Sequence, residues 1–136
     1  MNVSELARRA GVTANTVRHY TRSGLLEPTR NKSNGYNCYS SGDLACLLFI
    51  RKARLLGFTL GDIGDILKES SHGNSPCPQV RKSMAQRLHE TRRKLQEMAK
   101  LLERMEYAVA LWVHMPNGMP DGNSVCHLIE KIAMED

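Results

Sequence analysis

At 136 residues and 41% hydrophobic, the chain can hold one modest core, or one small domain plus an extension. No apolar run reaches the roughly 18 residues of a membrane span, and no charged segment followed by an apolar stretch opens the chain, so a cytoplasmic protein is expected. The net charge of +5 is uneven: residues 1–58 carry nine Lys/Arg against three Asp/Glu, while the remainder is almost neutral. Such a basic N-terminal part points to an anionic partner there, although an ordinary solvated basic face gives the same count.

The segment "NVSELARRAGVTANTVRHYTRSGLL" predicts two short helices. Ser4 is placed to cap the first, whose apolar face carries Leu6 and Ala10, and Gly11 stops it. Thr13 caps the second, Val17 points inward, and Ser23-Gly24 ends it. Two short helices around a tight glycine turn form a candidate helix-turn-helix, a shape that also serves as plain structure. In "EPTRNKSNGYNCYSSGDL", Asn34-Gly35 is a two-residue hairpin signal flanked by Tyr36 and Tyr39, which predicts a basic hairpin over 28–40. Ser40 or Ser41 then caps a helix to about Leu55, with Leu44, Leu47, Leu48 and Ile50 inside. Next, Gly57 turns, Thr59 caps, and Leu60, Ile63, Ile66 and Leu67 form the face of another short helix.

Composition makes 70–78 a loop. From about Pro78 to Val113, Met84, Thr91, Met98, Met105 and Trp112 recur every seven residues. Leu88, Leu95, Leu102 and Val109 interleave with them, which is the spacing of a coiled-coil seam. A helix of that length extends about 50 Å and is unstable alone in water, so a second copy of the chain is the expected partner. The tail is a Gly/Pro-rich loop followed by a short amphipathic helix with Val125, Leu128, Ile129 and Ile132. The predicted organisation is a head over 1–70, a hinge loop over 71–79, a dimerisation helix over 80–113, and a loop with a terminal helix over 114–136.

This order resembles the MerR family of bacterial transcription regulators over nearly the whole chain. "ELARRAGVTANTVRHYTRSGLL" is similar to the family's helix-turn-helix, "NGYNCYSSGDL" to its wing, and "FIRKARLLGFTLGDIGDIL" to its second helix pair. The resemblance implies a mainly α fold: a winged helix-turn-helix head, then a long antiparallel coiled-coil dimerisation helix, then a C-terminal effector loop. It implies a homodimer that binds a near-palindromic promoter element with RNA polymerase as a further partner. In that mechanism, effector binding distorts DNA that has an overlong spacer. Thr13, Asn15, Thr16 and His19 would face the major groove, and Arg18 and Tyr20 would contact phosphates. Arg30, Lys32, Tyr36 and Tyr39 match the wing, but Asn37 stands where the family usually has an arginine.

Of the four cysteines, Cys46 reads as core filler, and Cys38 in the wing as incidental or as an oxidation sensor. Cys77 and Cys126 are similar in position to ligands of the metal-responsive branch. With antiparallel helices centred on Met98, Cys77 of one chain lies opposite the 114–126 loop of the other. The resemblance implies that a cysteine at the position of Cys77 goes with a divalent ion, Zn(II) or similar, rather than Cu(I), and two thiolates neutralise such an ion. The branch usually carries another cysteine where the long helix ends, and here "LWVHMPNG" has none. The expected set is therefore Cys77, His114 and Cys126, with His127 or His72 as further donors. Sensing of oxidants, electrophiles or an organic ligand is the alternative, and a helical adaptor is a more distant one. No constellation for catalysis appears at usable spacing, and Asp62 and Asp65 read as solvated, so an enzyme is not expected.

Overall fold

The structure is a computed structural model that describes residues 1–134. The order is α1 (Val3–Ala10), α2 (Ala14–Arg22), β1 (Thr29–Arg30), β2 (Asn37–Cys38), α3 (Ser41–Leu55), α4 (Leu60–Ser71), α5 (Cys77–Trp112) and α6 (His127–Glu130). The chain divides into two compact units, Met1–Ala85 and Gln86–Asp136, and the boundary falls within α5.

In the first unit, four short helices have chemically defined starts. The α1 cap is Asn2, whose side chain accepts from the Glu5 N–H, so the expected Ser4 cap is corrected: Ser4 lies inside the first turn. Gly11 ends α1 at φ 71°, a left-handed conformation that glycine adopts without steric cost. Thr13 caps α2, and Ser40 and Thr59 each form reciprocal capping boxes with Asp43 and Asp62. Asp62 is thus a structural cap of α4. That helix runs on to Ser71, into the stretch expected to be loop.

Two apolar clusters fill this unit. One joins Leu6, Ala7, Ala10, Val17, Leu26, Tyr39 and Leu47, and the other Ile50, Ala53, Phe58, Ile63 and Ile66. Tyr20 of α2 and Cys46 of α3 pack against both. Leu48, expected inside, is 38% exposed, because Leu47 and Ile50 take the inward face of α3. Val80 and Met84 of α5 pack against the second cluster, so the first two turns of the long helix belong to the head core.

In the hairpin, Thr29 pairs with Cys38 and Arg30 with Asn37. The expected two-residue turn is corrected: the Asn31 N–H donates to the Tyr36 carbonyl, and the Gly35 N–H to the Asn31 carbonyl. Four residues, Lys32 to Gly35, therefore make the loop, with Gly35 at φ 72°. The Asn31 and Asn34 side chains accept from the Ser33 and Tyr36 N–H groups and stiffen it.

In the second unit, α5 leaves its apolar positions uncovered. Leu88, Leu95, Met98, Leu102, Met105 and Val109 are all exposed, and Ala108 is the one buried residue on this helix. The tail is held by specific bonds. Asp121 accepts from the Asn123 and Ser124 N–H groups. Glu130 accepts from the Ser124 hydroxyl at 2.6 Å and the Val125 N–H at 2.9 Å. The Trp112 indole donates to the Leu128 carbonyl at 2.7 Å. No helix among the described residues is long and apolar enough to cross a membrane.

Candidate nucleic-acid interface and effector residues

Helix α2 presents a polar outer face because Val17 and Tyr20 take the inner one. Asn15, Arg18 and His19 are exposed, and Arg18 Nη1 donates to Asn15 Oδ1 at 3.0 Å, which holds the guanidinium along the helix. Thr13 Oγ1 accepts from the Thr16 N–H and lies 2.9 Å from Thr16 Oγ1, so these two hydroxyls are tied into the helix start. The His19 and Tyr20 rings are tilted by 48° to each other, with centroids 5.5 Å apart. Arg30, Lys32 and Tyr36 of the hairpin are exposed, Tyr36 by 73%.

Two of the expected contacts are placed differently. Tyr39 is only 2% exposed, and its hydroxyl lies 2.8 Å from Thr21 Oγ1, so it is a core residue that pins the hairpin to α2. The Tyr20 ring bridges the two clusters, which makes its first task the orientation of α2. Arg51 Nη1 donates to the Ala10 carbonyl at 2.7 Å and packs against Gly11, so α3 holds the turn of the helix-turn-helix.

An open groove of about 470 Å³ runs between the start of α1, the middle of α2 and the hairpin. It is lined by Asn2, Val3, Ser4, Arg18, Arg30, Gly35, Tyr36 and Asn37, and no acidic residue is among them. The sequence reading gave Ser4 only a capping role and Asn2 none, and it placed neither at the groove. Their only signal is their polarity at a helix start, which capping explains equally well.

The sulfur and imidazole groups are dispersed. Cys77 is exposed at the first residue of α5, His114 is exposed in the turn after that helix, and Cys126 is half-buried just before α6 with no side-chain cap bond. No three His, Cys, Asp or Glu side chains cluster for a metal among the described residues of one chain. His127 Nε2 lies 2.8 Å from the Pro116 carbonyl and the ring packs on Gly118, so this imidazole serves the loop. Cys46 donates to the Leu25 carbonyl at 3.4 Å, and burial, aided by Asp43 and Glu27, pushes its thiol above the usual value. It is a core residue with little thiolate character. Ser124 and the Val125 N–H hold the Glu130 carboxyl below its usual range.

Residues 1–70 match the model of the MerR HTH family regulatory proteins, and residues 44–107 match the model described as MerR, DNA binding. The chain belongs to the MerR family. An HTH-type transcriptional regulator of Pseudomonas aeruginosa is 33% identical to this MerR protein over 106 residues, 78% of this chain and 80% of that one. A regulator of Haemophilus influenzae described as probably heavy metal-dependent is 29% identical over 107 residues, 79% and 84% of the two chains. The crystal structure of the transcription regulator PbrR691 from Ralstonia metallidurans, in complex with lead(II), shares the fold at a TM-score of 0.76. It is 23% identical and covers 98% of this chain and 99% of that one. This MerR protein is thus a transcriptional regulator and not an enzyme, with a mainly helical fold and a MerR-type DNA-binding head.

Proposed function

We propose that the protein works in the cytoplasm as a homodimer that binds a near-palindromic promoter element and activates transcription by RNA polymerase when a divalent metal ion binds. The basic groove between α2 and the hairpin carries the DNA part of this reading. Two arginines from different elements face it with no carboxylate to neutralise them, and Asn15 and His19 lie on the exposed face of the same helix. Arginine, lysine and hydroxyl groups fix the protein on phosphates, and the α2 side chains read base edges.

The uncovered seam of α5 supports the dimer. Six large apolar side chains repeat along one stripe of a 36-residue helix that has no long partner helix in its own chain. Such a stripe is stable when a second copy covers it.

The donor chemistry supports the metal part. Two thiolates and an imidazole suit a divalent, borderline-soft ion such as zinc. Cys77, His114 and Cys126 would hold it, and the ion would supply a cross-link between segments distant in sequence. The heavy metal-dependent relative and the lead(II) complex of the neighbouring structure favour a metal over an organic ligand.

The head core offers a route from ligand to DNA. Cys77 begins α5, Val80 and Met84 follow it on the head side, and both touch the cluster that also receives Tyr20 of α2. A shift of the first turns of α5 therefore reaches the recognition helix through packed side chains, which transmit displacement because cores are dense. The experiment is binding of the purified dimer to the promoter region upstream of its own gene against random duplex, with and without zinc, cadmium or lead. The expected result is a salt-dependent preference for the promoter and metal-dependent transcription in a reconstituted assay. Equal affinity for both duplexes overturns the reading.

A further inference from the structure

The uncovered stripe of α5 is shorter than its heptad pattern. Met84 keeps the spacing but packs on the second apolar cluster of the head. The exposed run therefore starts at Leu88 and ends at the half-buried Trp112, wholly within the second unit. A stripe that covers itself end to end in an antiparallel pair has its midpoint on the two-fold axis. The midpoint of Leu88 and Trp112 is Lys100, two residues beyond the Met98 that the full pattern gives. With that centre, Leu88 lies level with Trp112 of the partner subunit, Leu95 with the partner's Met105, and Met98 with the partner's Leu102. Thr91 lies level with the partner's Val109, so every seam residue meets another. Centred on Met98, Leu102 would instead meet the partner's Lys94, and Val109 the partner's Arg87.

The charges beside the stripe select the same arrangement. Arg92 and Glu106 follow the seam residues Thr91 and Met105, so they flank one edge of it, and both are exposed. Neither has an opposite charge three or four positions away on its own helix, unlike Arg93, which pairs with Glu97 at 3.4 Å. In an antiparallel pair, equal edges face each other. About a centre at Lys100, Arg92 comes within two residues, about 3 Å along the axis, of Glu106 of the partner subunit, and the two-fold axis repeats the pair. A parallel pair brings unequal edges together, and Arg87 would then face Arg92 of the partner subunit, a like-charge contact made twice. We propose that Arg92 and Glu106 of the partner subunit form the ion pair that sets the direction and register of the dimer, with Lys100 at its centre. This inference rests on the homodimer reading and deepens it by naming the residues that choose how two copies align.

The dimerisation constant of the full chain, measured by sedimentation equilibrium at low salt, tests the pair. Arg92→Glu and Glu106→Arg each turn two attractive pairs into two repulsive ones. Each should weaken the dimer by about tenfold, an effect that shrinks in about 1 M salt. The Arg92→Glu/Glu106→Arg swap should restore wild-type affinity. Mixing the two single variants should restore it as well, because each supplies the charge that the other lacks. In a parallel dimer the sign reverses, since Arg92→Glu meets the partner's Arg87 and tightens association. Tighter association of Arg92→Glu, wild-type affinity in both single variants, or a loss that the swap does not restore each overturns the proposal. A monomeric wild type defeats the homodimer reading itself, whereas a dimeric wild type with unaffected single variants defeats only the register.

Discussion

The two units of this chain solve the folding problem in opposite ways. The unit Met1–Ala85 closes two apolar clusters on itself, caps four helix starts with Asn2, Thr13, Ser40 and Thr59, and ties its elements by long-range bonds such as Arg51 to Ala10 and Tyr39 to Thr21. The unit Gln86–Asp136 buries almost nothing of its long helix and keeps its tail in place by a handful of polar bonds. The first is complete as a single chain. The second exposes what a second copy is needed to cover.

That contrast breaks most visibly at the seam. Replacing Leu95 and Leu102 together by Glu puts four charges into a dimer stripe and should yield monomers in sedimentation at micromolar concentration. Affinity for a two-fold DNA site should then fall by about 100-fold or more, since each head binds alone. Helical circular dichroism of residues 1–85 should persist. Retention of a dimer by this variant contradicts the seam.

Core damage tests the other side. Leu47 is fully buried, and Leu47→Ala should cost roughly 2–5 kcal/mol in urea unfolding of the head. A smaller loss follows from the caps: Thr59→Ala removes the side-chain acceptor of the Asp62 N–H and should cost about 0.5–2 kcal/mol. Both changes should leave the oligomeric state alone.

The smallest effect is local to the tail. The carboxyl of Glu130 titrates below its usual range because the ionised form accepts from Ser124 and Val125. A lowered folded value means that this clasp is present at neutral pH and is lost as pH falls through that value, beneath the ordinary carboxylate range. Trp112 is the only tryptophan and bonds to Leu128 in the same unit, so its fluorescence should report the opening on acidification. Glu130→Gln should remove the pH dependence, and an unchanged acid transition in that variant contradicts the assignment.

The head was legible in the sequence where local chemistry decides structure. Gly11, Thr13, Gly57 and Thr59 mark turns and caps through their own backbones and side chains, and the seam follows from spacing alone. It was illegible where distant residues decide. Asn2 and Ser4 are both good caps two positions apart, and the choice of Asn2 lengthens α1 by a turn fraction that only the fold selects. Tyr39 carries the same side chain as an exposed wing tyrosine, and its partner Thr21 lies 18 residues earlier. Met84 keeps the heptad register yet packs on the head, so the exposed stripe starts at Leu88. Trp112 also keeps register, but the bond of its indole to Leu128 commits its ring edge to the tail. Periodicity cannot show which of two neighbouring bodies claims a residue at the end of a seam.

The central claim, that two copies complete one effector site, is tested most directly by the metal content of the purified dimer. Wild type should hold stoichiometric zinc, cadmium or lead, and Cys77→Ser and Cys126→Ser should lose it to the same extent while remaining dimeric. Full retention of metal by either variant contradicts a site shared between Cys77 of one copy and the loop of the other.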